Sequence, residues 1–206
     1  MTGLFITLEG GDGSGKSTQM GALTEWLQGH DRTVVQAREP GGTDLGLELR
    51  EIVLHRRGHI APRAEALLYA ADRAHHVATV VRPALERGDI VIQDRYLDSS
   101  VAYQGAGRVL DPDEVRDLSL WATEGLLPHL TVLLDLDPAV GRERLDASRT
   151  RYDRLEAEEA AFHERVRNAY LALAAAEPER FLVLDATRPV DELQAGIRDR
   201  VSALLD

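Results

Sequence analysis

The chain contains no cysteine, so it carries no disulfide framework, and the absence fits a cytoplasmic location. No apolar run reaches the roughly 18 residues that a membrane-crossing helix requires, so a soluble protein with no membrane partner is expected. The first residues, Met1 to Phe5, lack the basic start and long apolar stretch of a secretory leader, which points the same way. Positive charge is outnumbered, 24 basic residues against 35 acidic ones. The formal net charge is −11, which argues against a broad nucleic-acid surface, because affinity for a phosphate backbone depends on distributed cations. Lysine is nearly missing: of 24 basic residues, Lys16 is the only lysine and the rest are arginine.

What is present gives that one lysine a context. Lys16 lies in Gly10-Gly11-Asp12-Gly13-Ser14-Gly15-Lys16-Ser17, the spacing of a phosphate-binding P-loop. A compact, rotatable ammonium fits a loop of backbone N–H groups around a phosphate, where a planar guanidinium is too bulky. The apolar run Leu4 to Leu8 feeds into the loop, and Ser17 to Gln28 reads as an amphipathic helix. Thr33–Ala37, Ile90–Ile92, Thr131–Leu136 and Phe181–Leu184 read as further strands. Helices are expected over Leu45–His55, from Pro62 to about Arg87 with Gly88 as the stop, and from Pro112, Pro138 and Pro189. Alternating strands and helices with near-continuous apolar strands predict an α/β P-loop NTPase sandwich. It consists of a five-stranded parallel sheet with helices on both faces, in one domain over residues 1–206.

In the loop, Gly10, Gly11, Gly13 and Gly15 let the backbone wrap the phosphates, and the helix N-terminus beyond Ser14 favours their charge. Lys16 then reaches the β- and γ-phosphates, Ser17 offers a hydroxyl to magnesium, and Thr18 caps the α-phosphate. ATP with Mg2+ is the implied pairing, although a P-loop alone serves kinases, GTPases, motors and switches alike. Asp94-Arg95-Tyr96 follows the strand Ile90–Ile92, where a carboxylate faces the ligand crevice of an open sheet and Asp94 can hold Mg2+ through water. Arg95 beside it can clamp a second phosphate. A guanine-reading Asn-Lys-x-Asp motif cannot be built with no second lysine.

Arg38-Glu39-Pro40-Gly41-Gly42-Thr43, Asp94-Arg95-Tyr96, Ala102-Tyr103-Gln104-Gly105 and Asp153-Arg154-Leu155-Glu156 give the chain an end-to-end resemblance to bacterial thymidylate kinases. The resemblance implies phosphoryl transfer from ATP to dTMP, within the wider class of nucleoside monophosphate kinases, in a homodimer. The alternative is a kinase for another nucleoside monophosphate. By the same resemblance Tyr69 stacks on thymine, while Arg73 four residues on, hence on the same helix face, bonds the base, as do Ser100 and Gln104. Arg50 and Arg95 meet the monophosphate end or the base, Glu39 and Pro40 shape the acceptor wall, and Tyr103 packs under the sugar where a 2′-hydroxyl would collide. Asp12 approaches the acceptor sugar and magnesium, and Arg188 stacks on adenine.

The loop itself carries no arginine, so the cation for the transition state has to come from elsewhere. A mobile lid is implied over about residues 142–155, rich in Arg142, Arg144, Arg149, Arg151 and Arg154, and the last three are expected to close over the transferring group. Asp153 with Glu156 three residues later reads as a helix start that ends the lid, and Glu156–Glu159 as an exposed helix beginning. Trp26 and Trp121 read as core or interface residues. His75 and His76 lack a partner at metal spacing.

Overall fold

The computed structural model describes residues 3–56, 58–148 and 152–205. In chain order the elements are β1 (Leu4–Glu9), α1 (Lys16–Gln28), β2 (Val34–Arg38), α2 (Asp44–Arg50), α3 (Pro62–His76), α4 (Arg82–Glu86), β3 (Ile90–Asp94), α5 (Leu97–Ser100), α6 (Pro112–Ala122), β4 (Leu130–Asp135), α7 (Pro138–Ser148), α8 (Ala160–Ala176), β5 (Phe181–Asp185) and α9 (Val190–Leu205). The five strands pair in parallel in the order β2-β3-β1-β4-β5. This register brings Glu9, Arg38, Asp94 and Asp135 to the same edge, the carboxyl ends of the strands. The chain leaves β1 for β2 on one side of it and later passes to β4 on the other. The mouth of β1 is therefore the place where an open parallel sheet leaves room for a ligand.

Period-two alternation in β1 divides the core between two faces. Ile6 and Leu8 pack with Leu23 and Leu27 of α1 and with Ile197 and Val201 of α9. Phe5 points the other way, to Val77, Val81 and Tyr96. Thr7 and Glu9 share the face of Phe5. The Thr7 hydroxyl meets that of Thr131 at 3.0 Å, and Glu9 is fully buried. Burial of this apolar strand surface drives the layering, at about 25 cal/mol per Å² removed from water.

Several expectations needed correction. The helices expected over Leu45–His55 and from Pro62 to Arg87 are interrupted by π-helical turns, Glu51–His55 and Val77–Val81. In the second, Pro83 has no N–H to offer the carbonyl of Thr79, and the Thr79 hydroxyl bonds back to the carbonyl of His75 at 2.7 Å. A further helical stretch, α5 running into the π turn Val101–Gly107, occupies a region that was recognised only as a motif. Asp153 and Glu156 do form the reciprocal bonds of a capping box, at 2.8 and 2.9 Å. The turn does not propagate, however: α8 starts at Ala160, and Glu156 is buried rather than exposed. Trp121 is not a core residue, being 80% exposed. Among the described residues no helix is long and apolar enough to cross a membrane.

Candidate active site

At the mouth of β1 the loop tightens into α1. Gly13 and Gly15 have φ of 77° and 92°, in the left-handed region open to glycine. A side chain at Gly13 would also strike the carbonyl of Gly141 in α7, 2.6 Å from the position its Cβ would take. Lys16 is 7% exposed and folds back over the loop, its Nζ donating to the carbonyls of Gly10 (3.1 Å) and Gly11 (2.9 Å). Burial, with the charge of Arg95, holds its ammonium below the usual lysine range, partly offset by Asp94 and Asp12. Two buried oxygens beside it, Ser14 Oγ and Asp94 Oδ1, have no hydrogen-bond partner among the described residues.

The corner after β3 is the second part. Arg95 is not glycine, yet its φ is 67°, the kind of backbone strain that surrounding structure must hold in place. Its N–H donates to the carbonyl of Leu8 (3.0 Å), and the next N–H, of Tyr96, donates to Glu9 Oε1 (2.7 Å). The guanidinium spans the gap to the loop. Nη2 meets Asp12 Oδ1 at 2.7 Å and the Tyr103 hydroxyl at 3.2 Å, while Nη1 meets the hydroxyls of Ser99 (3.2 Å) and Tyr170 (3.3 Å). Burial would raise the Asp12 carboxyl, but the charges of Arg95 and Lys16 override it and hold the group below the usual carboxylate range.

A crevice of about 530 Å³ joins these parts to a third, the wall made by β2, α2, α3 and α5. Asp12, Gly13, Gly15, Lys16, Ser17, Thr18, Asp94 and Arg95 line one end. Glu39, Pro40, Arg50, Tyr69, Arg73, Ser100, Tyr103 and Gln104 line the other. On that side Arg50 Nη1 donates to the carbonyl of Pro40 (2.8 Å). Arg73 is almost wholly committed internally, to Glu39 (2.7 Å), Ser119 (3.0 Å), the carbonyl of Tyr96 (3.2 Å) and Ser100 (3.0 Å). His76 is buried against Glu39 at 3.1 Å, so its place is in this wall.

Other expected residues stand apart. Gly10 and Gly11 line a small adjoining cavity between the loop, β4 and α8, and Ser14 is buried within the loop. Arg154 turns away from the loop: its Nε donates to the carbonyl of Val53 (2.8 Å) and Nη2 pairs with Glu65, outside the crevice lining. Arg188 is 60% exposed, beside Asp185 and Glu192, and does not line the crevice. Arg149 and Arg151 lie outside the described residues.

A family model described as thymidylate kinase matches residues 8–197. The chain belongs to the thymidylate kinase family. It is 73% identical to the thymidylate kinase of Clavibacter michiganensis subsp. michiganensis over 205 residues, 100% of this chain and 97% of that protein. Identity to the thymidylate kinase of Deinococcus radiodurans is 56% over 200 residues, 97% of each. The crystal structure of thymidylate kinase from Ehrlichia chaffeensis superposes with a TM-score of 0.79 at 28% identity, covering 98% of this chain and 99% of that one.

Some residues of this family member's crevice are not assigned to it by the sequence. Arg38 and Ser99 line it, as does Arg144, expected only as one of the lid arginines; Arg144 joins α7 to the loop through the carbonyl of Gly13 (3.2 Å) and to the end of β5 through that of Ala186 (3.1 Å). Glu9 lies behind it, accepting from Ser99 (2.6 Å) and Tyr170 (2.7 Å) as well as Tyr96. The available signal was a carboxylate closing an otherwise apolar strand, which a buried chain end tolerates only when hydrogen-bonded.

Proposed function

We propose that the crevice holds ATP and dTMP head to head and that this enzyme transfers the γ-phosphoryl group of ATP directly to the phosphate of dTMP, giving ADP and dTDP. The observation that carries the reading is the Asp12–Arg95 bridge of 2.7 Å, which joins the phosphate loop to the acceptor wall inside one cavity. Lys16 exchanges its two carbonyl partners for the β- and γ-phosphates, and the amides of Gly13 to Ser17 surround them. Arg95 and Arg50 take the acceptor phosphate. Tyr69 stacks on the base, and Tyr103 fills the space a ribose hydroxyl would need. An acceptor phosphate is already ionised near neutral pH, so Asp12 and Asp94 organise the site and do not take a proton. Transfer is in line, with no covalent enzyme intermediate.

The buried, unpartnered Oδ1 of Asp94 suits a hydrated cation. Ser17 directly and Asp94 through water would hold Mg2+, which offsets phosphate charge when bound. Lid closure over the phosphates brings the remaining cations, with Arg144 already on the loop and Arg149 and Arg151 following, while Arg154 stays with Glu65. Leu67 on α3 and Trp121 on α6, 57% and 80% exposed, favour a homodimer, which sedimentation velocity tests.

The deciding assay is ADP release with dTMP, dUMP, dCMP, dGMP, UMP and AMP in parallel. Turnover led by dTMP is expected, and turnover confined to AMP or dCMP ends the reading. In Lys16→Met, kcat should fall by roughly 10³-fold or more with the thermal melt retained.

A further inference from the structure

Glu65 of α3 is fully buried, yet no role in the reaction accounts for it. Its Oε1 accepts from Gln104 Nε2 (2.9 Å) and Arg108 Nε (3.2 Å), and its Oε2 pairs with Arg154 Nη2 at 2.5 Å. Arg108 is itself fixed by Glu158 and lies over the ring of Phe162, 5.0 Å from its centroid. The carboxylate is therefore held from two sides by guanidinium groups anchored in separate elements. A carboxylate so paired can only accept. Gln104 must then present its NH2 end to Glu65, because the flipped amide would set two oxygens against each other. The amide oxygen, Gln104 Oε1, has no hydrogen bond among the described residues, and Gln104 lines the acceptor end of the crevice.

We propose that Glu65 is a positioning residue for base selection: by binding the amide nitrogen of Gln104, it turns the amide oxygen toward the crevice as a fixed acceptor. The proposal rests on the dTMP kinase reading above and adds how the ring edge is chosen. A thymine or uracil ring offers N3–H to such an acceptor. Cytosine offers a lone pair at the same atom, so two acceptors would face each other unpaired, a penalty that binding sites use for rejection. The group selected is a pyrimidine monophosphate with a protonated N3, and the 5-methyl is not read here.

The test compares kcat/KM for dTMP, dUMP and dCMP in the wild-type enzyme and in Glu65→Gln. A glutamine at position 65 can face Gln104 either way, so the amide of Gln104 loses its fixed sense. The dTMP-to-dCMP ratio should drop by roughly tenfold or more, carried by KM more than by kcat, while the dTMP-to-dUMP ratio stays put. General damage to the fold would lower all three substrates together. An unchanged dTMP-to-dCMP ratio in a folded variant overturns the proposal.

Should Glu65→Gln fail to fold, the wild-type enzyme decides by NMR. The Gln104 side-chain NH2 should exchange slowly with solvent and hold its shift when dTMP is added. A large dTMP-induced shift of those protons would mean that Gln104 donates to the ligand, and the proposal falls. Failure of wild-type turnover on dTMP would instead strike the underlying functional reading.

Discussion

At the scale of single residues, the burial of Glu9 has a measurable consequence. Burial raises its carboxyl from 4.5 to about 7, with the charge of Asp98 adding to the effect, while Arg95, Ser99 and Tyr170 pull the other way. The unfolded chain releases this proton near 4.5. Between the two values the native protein therefore binds more protons than the unfolded chain, and stability falls as pH rises through that window, by roughly 3 kcal/mol in all. Glu9→Gln cannot titrate, so its stability relative to the wild type should rise between pH 5 and pH 8. Urea melts at several pH values read this directly, and curves that run parallel would show that the group does not titrate there. Asp72, raised to about 6 by burial and the charge of Glu39, is unchanged in the comparison and cancels.

Among the elements, α7 is the one whose seat depends on backbone meeting backbone. A Cβ at Gly141 would come within 2.6 Å of the carbonyl of Asp12, mirroring the contact at Gly13, and Arg144 secures the same junction. Gly141→Ala must push the helix off the loop, since no flexible side chain can yield. We expect a loss of about 1–3 kcal/mol in the thermal melt and a higher KM for ATP, whereas the half-buried Gly21→Ala, inside α1 with open space around it, should raise the melt by up to about 1 kcal/mol and leave that KM unchanged. Equal melts for the two variants would contradict this seating. The sequence made the strands and the loop legible because β1, β3 and β4 are short, apolar and bounded by Gly, Asp or Pro. It did not reveal where helices change pitch, because a π turn leaves the hydrophobic spacing nearly intact and only the missing N–H of Pro83 hinted at one. The crevice was legible wherever a motif carried it, as at Lys16, Asp94, Arg95 and Tyr103. Glu9, Glu65 and Tyr170 act from behind those residues, and pairing across 161 positions, as between Glu9 and Tyr170, leaves no local trace. Arg154 illustrates the reverse error of reading charge density as direction: its partner, Glu65, lies on α3 and not at the phosphates.

At the scale of the whole molecule, a chain of net charge −11 meets two anionic nucleotides at a crevice where six of its 24 basic residues stand beside five carboxylates, so the local balance runs against the overall charge. Lys16, Arg38, Arg50, Arg73, Arg95 and Arg144 all line the crevice, and the low-dielectric walls make each charge count for more than it would on the surface. The sheet separates the work. The loop after β1 forms one half, and the helices packed on β2 and β3 form the other, with the Asp12–Arg95 bridge between them. A ligand that binds only the folded chain stabilises it by about 2.7 kcal/mol at one hundred times its Kd, so each half can be assayed by melting. Lys16→Met should lose the stabilisation by ATP and keep that by dTMP. Arg50→Ala should do the opposite. Arg95→Gln, which removes the bridging charge, should weaken both. If Lys16→Met and Arg50→Ala each abolish both shifts, the two halves are one binding site, and the head-to-head arrangement of donor and acceptor is wrong.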